Sequence, residues 1–452
     1  MMDELPVEVL KTVFHFLLDD PVSICRFELT SQSNCKLVRN SPELFQEILD
    51  FRWTKGNERN NETDINPRKE FERRYEQDQI AIKCVNDMAN TLRIELGEHA
   101  SSMNNFPSVG KSWNNPNWTL LLLELRLDAY DILKSMANAL IDYKAEVLKQ
   151  NLCRFLAART VVRIHISQCL LEWKKITSSD YGEYQATQIE SEATQIEKLA
   201  LLAAKAQMTP PELLDETNPM EVDVTKHLDR IADKCRTTIT NTSSRSNKEK
   251  ILVISEVLFG EMGFAGNNED YYNYKNSLLN HLLKSKKGIP MTLAVLFACV
   301  ARRLNIVTDI IGLPGHVVLG FFDDTTSKQL YLDVYRGGKI MQLEECQRIS
   351  SSYGFAWDDN FIRPLPPLQV YTRILNNLIN CHGQLPVLSA PPLFRETLAF
   401  QARQLMLAHK MPYIVERMLQ DRPLTMPIDL LSLYGLLHAN DGQCAWSRDT
   451  DS

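Results

Sequence analysis

No stretch of this sequence approaches the roughly 20 apolar residues that a membrane-spanning helix requires, so no transmembrane segment is expected. The chain opens without a basic n-region and an apolar h-region, so no secretory signal peptide is expected either. Basic clusters are also lacking. The densest run, KSKK at 284 to 287, reads as a solvated helix end, and the net charge of -7 argues against nucleic acid or an anionic membrane as principal partner. The ten cysteines form no C-x-x-C pair and are scattered through apolar stretches, which excludes a disulfide scaffold and suits reduced thiols in the cytoplasm or nucleus. No cofactor and no metal is expected.

What is present is an ordinary globular composition, 44% hydrophobic and 24% charged, over 452 residues, long enough for two or three domains with buried cores. The chain is organised around residues 286 to 338. Met291 to Ala301 carries no charge and ends in Arg302 and Arg303, the pattern of a helix buried nearly all round. Ile306 to Leu313 and Val317 to Phe322 are β-branched and aromatic runs separated by Pro314 and Gly315, and Gln329 to Tyr335 alternates after a polar turn. His316 is thus expected to open one strand and Asp333 to sit on its hairpin partner, as cross-strand neighbours. A thiol protease or transglutaminase uses such a pair, with a Cys at a helix N-terminus whose dipole favours thiolate. His316 is also readable as a core or turn residue. Asp333 is harder to dismiss, because a buried carboxylate requires partners.

The segments GIPMTLAVLFACVARRLNI, GLPGHVVLGFF and LYLDVYRGGK resemble the transglutaminase-like domain of the bacterial SirB type. The resemblance implies a papain-like core in which His316 and Asp333 match the family's catalytic positions. The thiol position, counted back from the helix end at Asn305, falls at Pro290. Neither Pro290 nor Met291 nor Thr292 carries a thiol, and Cys299 lies more than two turns further along. Asp270 to Asn273 resembles the short motif preceding the family's GIP turn. Those residues either line a groove or pack.

The opening MMDELPVEVLKTVFHFLLDD places Val9, Leu10, Val13, Phe14 and Leu17 at helical spacing. Further short helices are expected from about Asp20 and from Ser41, the last turning Leu44, Phe45, Ile48 and Leu49 inward. With LFxxxxxxRW at its end, this stretch resembles an F-box. The resemblance implies docking onto the Skp-family adaptor of a cullin-RING ubiquitin ligase through Leu5, Pro6, Val9, Leu10, Val13, Phe14 and Leu17. An ordinary helical bundle is the alternative.

Helices are further expected over 68–96, 120–150, 152–176, 186–207 and 222–239, with ATQIE repeated at 186–190 and 193–197 as a local duplication. VYTRILNNLINCHG resembles the start of the tetratricopeptide-like tail that follows this domain in the family. F-box relatives with such a core generally continue into a β-rich domain of the hemimethylated-DNA-binding type, which is not found in this sequence. A truncated isoform, an incomplete gene model or lineage loss would explain that. The chain is therefore expected to be α+β and mostly α-helical: a three-helix F-box at 1–53, a linker at 54–67, a helical region at 68–240, and a papain/transglutaminase-like core with a small antiparallel sheet at 241–366. A helical tetratricopeptide-like tail at 367–440 and a disordered tail at 441–452 complete it.

Three functions follow. One is a non-catalytic substrate receptor of an SCF-type ubiquitin ligase, with His316 and Asp333 vestigial. A second is an active acyl-transfer or protease-like enzyme with a displaced nucleophile. The third is a scaffold that delivers no target.

Overall fold

The structure is a computed structural model that describes residues 38, 42–53, 66–99, 130–140, 146–178, 192–208, 212–213, 220–240 and 246–384. These fall in two compact units, one within 1–165 and one within 166–418. The first two expected F-box helices with their adaptor-facing residues, the first ATQIE copy and everything after 384 lie outside the described residues.

In the first unit, helix α1 (Pro42–Arg52) buries Leu44, Phe45, Ile48 and Leu49, the face that the sequence singled out. Trp53 follows it and α2 (Pro67–His99) packs against it, with Phe71 stacked among Phe45, Trp53 and Tyr75. The polar run expected to act as a hinge therefore separates two helices that share one aromatic cluster. Helix α2 begins at Pro67, where the Asn66 side chain accepts from the Arg68 backbone N–H at 3.0 Å. Where one helix was expected over 120–150, the chain has α3 (Tyr130–Asn138) and then α4 (Val147–Ser178), which runs without a break through the expected start at 152. Ala139 and Leu140 are already non-helical, Leu140 being almost fully exposed.

The second unit is built on helix α9 (Pro290–Arg303). Before it come α5 (Glu192–Ala206), α6 (Met220–Thr240), α7 (Asn247–Ser255), β1 (Ala265–Gly266), α8 (Leu279–Ser285) and β2 (Lys287–Gly288). Helix α7 starts in the polar run SNKEK at 246–250. Ser246 and Glu249 explain this, since they form a reciprocal capping box that satisfies two first-turn N–H groups. After α9 the chain folds into an antiparallel meander of β3 (Asp309–Ile311), β4 (Val318–Asp323), β5 (Lys328–Asp333) and β6 (Lys339–Met341). Helix α10 (Leu343–Ser352) and helix α11 (Pro367–Gln384) follow. Strand β3 is shorter than its apolar run suggested, β4 and β5 are each shifted by one residue at their start, and β6 was not anticipated. Helix α11, expected to open a separate tail, packs on α5 and α9 and buries Tyr371, Ile374, Leu375 and Leu378.

Every residue of α9 from 290 to 301 is buried, as an uncharged run bounded by arginines requires. Proline at its first position suits a turn whose N–H groups have no intrahelical partner. At the other end Asn305 takes the left-handed conformation (φ 57°), and the Ile306 N–H reaches back to the Ala301 carbonyl at 3.0 Å. Arg303 grips Glu197 of α5 with two nitrogens at 2.6 and 2.8 Å and Asp229 of α6 at 2.7 Å, while Arg302 adds a bond to Glu197 at 2.8 Å. Burial of Glu197 works against its charge, but the Arg303 and Arg302 guanidiniums outweigh burial and hold its carboxyl below the usual range. Glu197 is the last residue of the second ATQIE copy, so that repeat element carries a structural contact with the core.

Removing one member of a buried charge cluster strands the others. Glu197→Ala is expected to lower unfolding free energy by about 3–5 kcal/mol in urea titrations, whereas a loss under about 1 kcal/mol would mean that the cluster is solvated.

Candidate functional site

The geometry of the site starts from two turns. Leu313, Pro314, Gly315 and His316 make a tight turn closed by the His316 N–H to the Leu313 carbonyl at 3.2 Å. Gly315 sits at φ +71°, which with Pro314 before it matches a type II turn. A Cβ on Gly315 would also strike the Tyr353 ring at 2.6 Å. His316 therefore stands in the turn ahead of β4, two residues before the strand that it was expected to open. Asp333 ends β5, and its side chain caps a single 3-10 turn, Val334–Arg336.

The two side chains meet. His316 Nε2 lies 3.0 Å from Asp333 Oδ1, diagonally across the β4–β5 pair rather than directly opposite, since Leu319 pairs with Leu332. The approach is at ion-pair distance but is not aligned for a linear hydrogen bond. Asp333 is fully buried, and its Oδ1 also accepts from the Tyr335 and Arg336 backbone N–H groups at 3.1 and 3.2 Å. Burial opposes its ionisation, but His316, the Arg336 N–H and the Arg336 guanidinium together hold the carboxyl below the ordinary Asp value. The Tyr335 ring stands edge-on to the imidazole at 6.4 Å. Nδ1 of His316 has no partner among the described residues.

His316 faces an open cleft of about 180 Å³. Ile289, Pro290 and Met291 form one wall at the start of α9, Gly315, His316 and Val317 form a second, and Tyr271 with Arg373, Asn376 and Asn377 of α11 closes the rest. Pro290, the position that the resemblance assigns to the thiol, lines the same cleft as His316, and it offers neither a nucleophile nor an N–H. Thr292 is turned away: its hydroxyl donates to the Asn276 carbonyl at 2.8 Å. Cys299 is fully buried in mid-helix, where burial, reinforced by Glu197, pushes its thiol well above the ordinary value.

Sequence reading missed two parts of this arrangement. Asn276, nearly fully buried, donates to the carbonyls of Asp270 and Tyr271 at 2.6 and 3.3 Å and accepts from Asn267 at 3.1 Å. It fixes the 270–273 loop against the start of α9, which is how Tyr271 comes to line the cleft. Arg373, Asn376 and Asn377 are spaced i, i+3, i+4, a signal for one helix face. An arginine and two asparagines on a helix of an expected tail gave no reason to place that face at the site. Among the described residues no group of three His, Cys, Asp or Glu side chains is placed to hold a metal, and no helix is long and apolar enough to cross a membrane.

Residues 222–376 match the family model described as the transglutaminase-like superfamily. This part of the chain is a transglutaminase-like domain. The match begins earlier than the expected boundary at 241, taking in α6, and ends within α11. A UPF0162 protein of Xylella fastidiosa (strain Temecula1) is 34% identical over 136 residues, 28% of this chain and 47% of that protein. F-box only protein 21 of Mus musculus is 26% identical over 151 residues, 32% of this chain and 24% of that protein, and the Homo sapiens protein is 25% identical over 148 residues. The chain thus spans about half the length of the bacterial relatives and about a quarter of F-box only protein 21 in these matches. No solved structure gives a significant match.

The Asp333 contacts set a pH dependence for the transglutaminase-like domain. A carboxyl depressed below its unfolded value of about 3.9 contributes stability above that pH and loses it as pH falls through the folded value. Asp333→Ala, which strands the Tyr335 and Arg336 N–H groups, is expected to cost about 1–3 kcal/mol at pH 7, more than His316→Ala. In urea titrations across pH, the gap between wild type and Asp333→Ala should narrow below about pH 4.

Proposed function

We propose that this chain is a substrate-recognition subunit of an SCF-type ubiquitin ligase in which the transglutaminase-like domain is a non-catalytic binding platform. The observation that carries the platform reading is the composition of the cleft. His316 and Asp333 lie at ion-pair distance, while Pro290, which lines the same cleft as His316, offers nothing to deprotonate. A retained frame without a nucleophile is useful for binding, because the walls and the imidazole remain while covalent chemistry does not.

Support for the ligase setting comes from the N-terminal sequence and from the similarity to F-box only protein 21. In this reading Leu5, Pro6, Val9, Leu10, Val13, Phe14 and Leu17 dock the Skp-family adaptor, the adaptor brings the cullin, and the cleft faces the protein to be ubiquitinated. The protein works in the cytoplasm or nucleus and needs no cofactor. An acyl-transfer enzyme would need another nucleophile. Thr292 is committed to the Asn276 carbonyl, and Cys299 is enclosed.

Affinity purification tests the assignment. Wild type is expected to bring down a Skp-family adaptor and cullin, and Leu10→Asp with Phe14→Asp is expected to abolish this, because a charge on a desolvated interface stripe leaves a buried group unpaired. Retention of the adaptor by the double variant would refute the docking assignment. Purified protein should neither incorporate amines nor cleave peptides, and an activity that disappears in His316→Ala would refute the platform.

A further inference from the structure

The α11 side of the cleft holds an arginine with no counter-charge among the described residues. Arg373 Nη1 is buried, and among the described residues it has no hydrogen-bond partner and the guanidinium has no carboxylate within ion-pair distance. This is unlike Arg303 in the same unit, whose every nitrogen is engaged. Burial without a counter-ion lowers the proton affinity of the Arg373 guanidinium from its ordinary value. The position is built rather than incidental. Gly312, at the end of the β3 turn, leaves the space that the guanidinium fills, since a Cβ there would lie 1.9 Å from Nη1. Asn376 and Asn377, one turn on, line the same cleft.

We infer that this cleft binds an acidic peptide segment, with one peptide carboxylate held by Arg373 and the neighbouring asparagine amides. A partly buried cation is satisfied by an anion delivered to it, and the planar fork of arginine matches a carboxylate with two parallel bonds. The rest of the lining supplies no second fixed positive charge, which suits a singly charged carboxylate better than a phosphate. The volume is below the roughly 300–1,000 Å³ of small-molecule sites, so it fits one side chain or a chain end. Tyr271 and Tyr353, both more than 40% exposed, flank the His316 turn, the aromatic composition of a peptide-contacting rim. The inference deepens the platform reading and rests on it.

The test uses the full chain and fluorescein-labelled random hexapeptides in three pools. One has a free C-terminal carboxylate and no Asp or Glu, one is amidated with a single Asp or Glu, and one is amidated with no acid. Fluorescence polarisation is expected to detect binding in one or both acidic pools and none in the uncharged pool, and the acidic pool that binds identifies whether a chain end or a side chain is read. Arg373→Gln is expected to weaken the selected peptide about thirtyfold or more, with Arg373→Lys between the two and the exposed Arg348→Gln unchanged. Gly312→Ala keeps the charge but displaces the guanidinium, and it should weaken binding as well. Equal binding of the uncharged pool, no binding in any pool, or undiminished binding by an Arg373→Gln protein with wild-type melting would overturn the inference. Adaptor association is measured on the same preparations. If it persists while acidic peptides fail, only the ligand assignment falls; if the wild type binds acidic peptides but no adaptor, the ligase assignment falls and this site stands.

Discussion

A helix with no exposed face has to have both ends anchored by its neighbours, and this requirement at α9 arranges the rest of the transglutaminase-like unit. All of its apolar length is covered, so the polar groups at its two ends find partners within the protein. At the C-terminal end Arg302 and Arg303 collect Glu197 and Asp229, which draws in two helices from well upstream. At the N-terminal end the Asn276 carbonyl takes the Thr292 hydroxyl and the Ile289 N–H, and the Asn276 side chain holds the 270–273 loop. The cleft forms where this second anchor meets the His316 turn. Its position is a consequence of how the helix start is fixed.

Much of this was legible in the sequence because the signals were strong and local. An uncharged run ending in two arginines can only be a buried helix with charged ends, and Pro314–Gly315 can only be a turn. His316 and Asp333 lie at ion-pair distance, a contact that the sequence left open, and the turn extends one residue further than the apolar pattern suggested, so the imidazole sits ahead of the strand and approaches the carboxylate diagonally. Distant partners were the harder part. Glu197 looked like the end of a repeat, and its role depends on an arginine 106 residues away. Arg373, Asn376 and Asn377 occupy one face of a helix whose docking position no local pattern specifies. The break between α3 and α4 was missed because helical propensity runs through it.

The cleft is best understood by separating what an Asp–His pair does for structure from what it does for chemistry. Asp333 would be retained for structure alone, because it satisfies two backbone N–H groups of the turn that ends β5. The imidazole is then an orienting neighbour, held near the carboxylate and open on its other nitrogen. In a thiol enzyme that nitrogen would draw a proton from the residue at the helix start. With proline at that position, as the proposed platform has it, the nitrogen is a polar feature of a wall that also carries a guanidinium unpaired among the described residues.

The central proposal is that this is a thiol-enzyme frame whose nucleophile position is filled by proline. Pro290→Cys tests it most directly. The site-specific rate of alkylation by iodoacetamide is followed by mass spectrometry from pH 5 to 9, with and without His316→Ala. The account predicts a thiol that reacts well below the ordinary cysteine pKa of about 8.5 and that loses this reactivity when His316 is removed. A thiol at 290 that titrates like free cysteine in both backgrounds would contradict it.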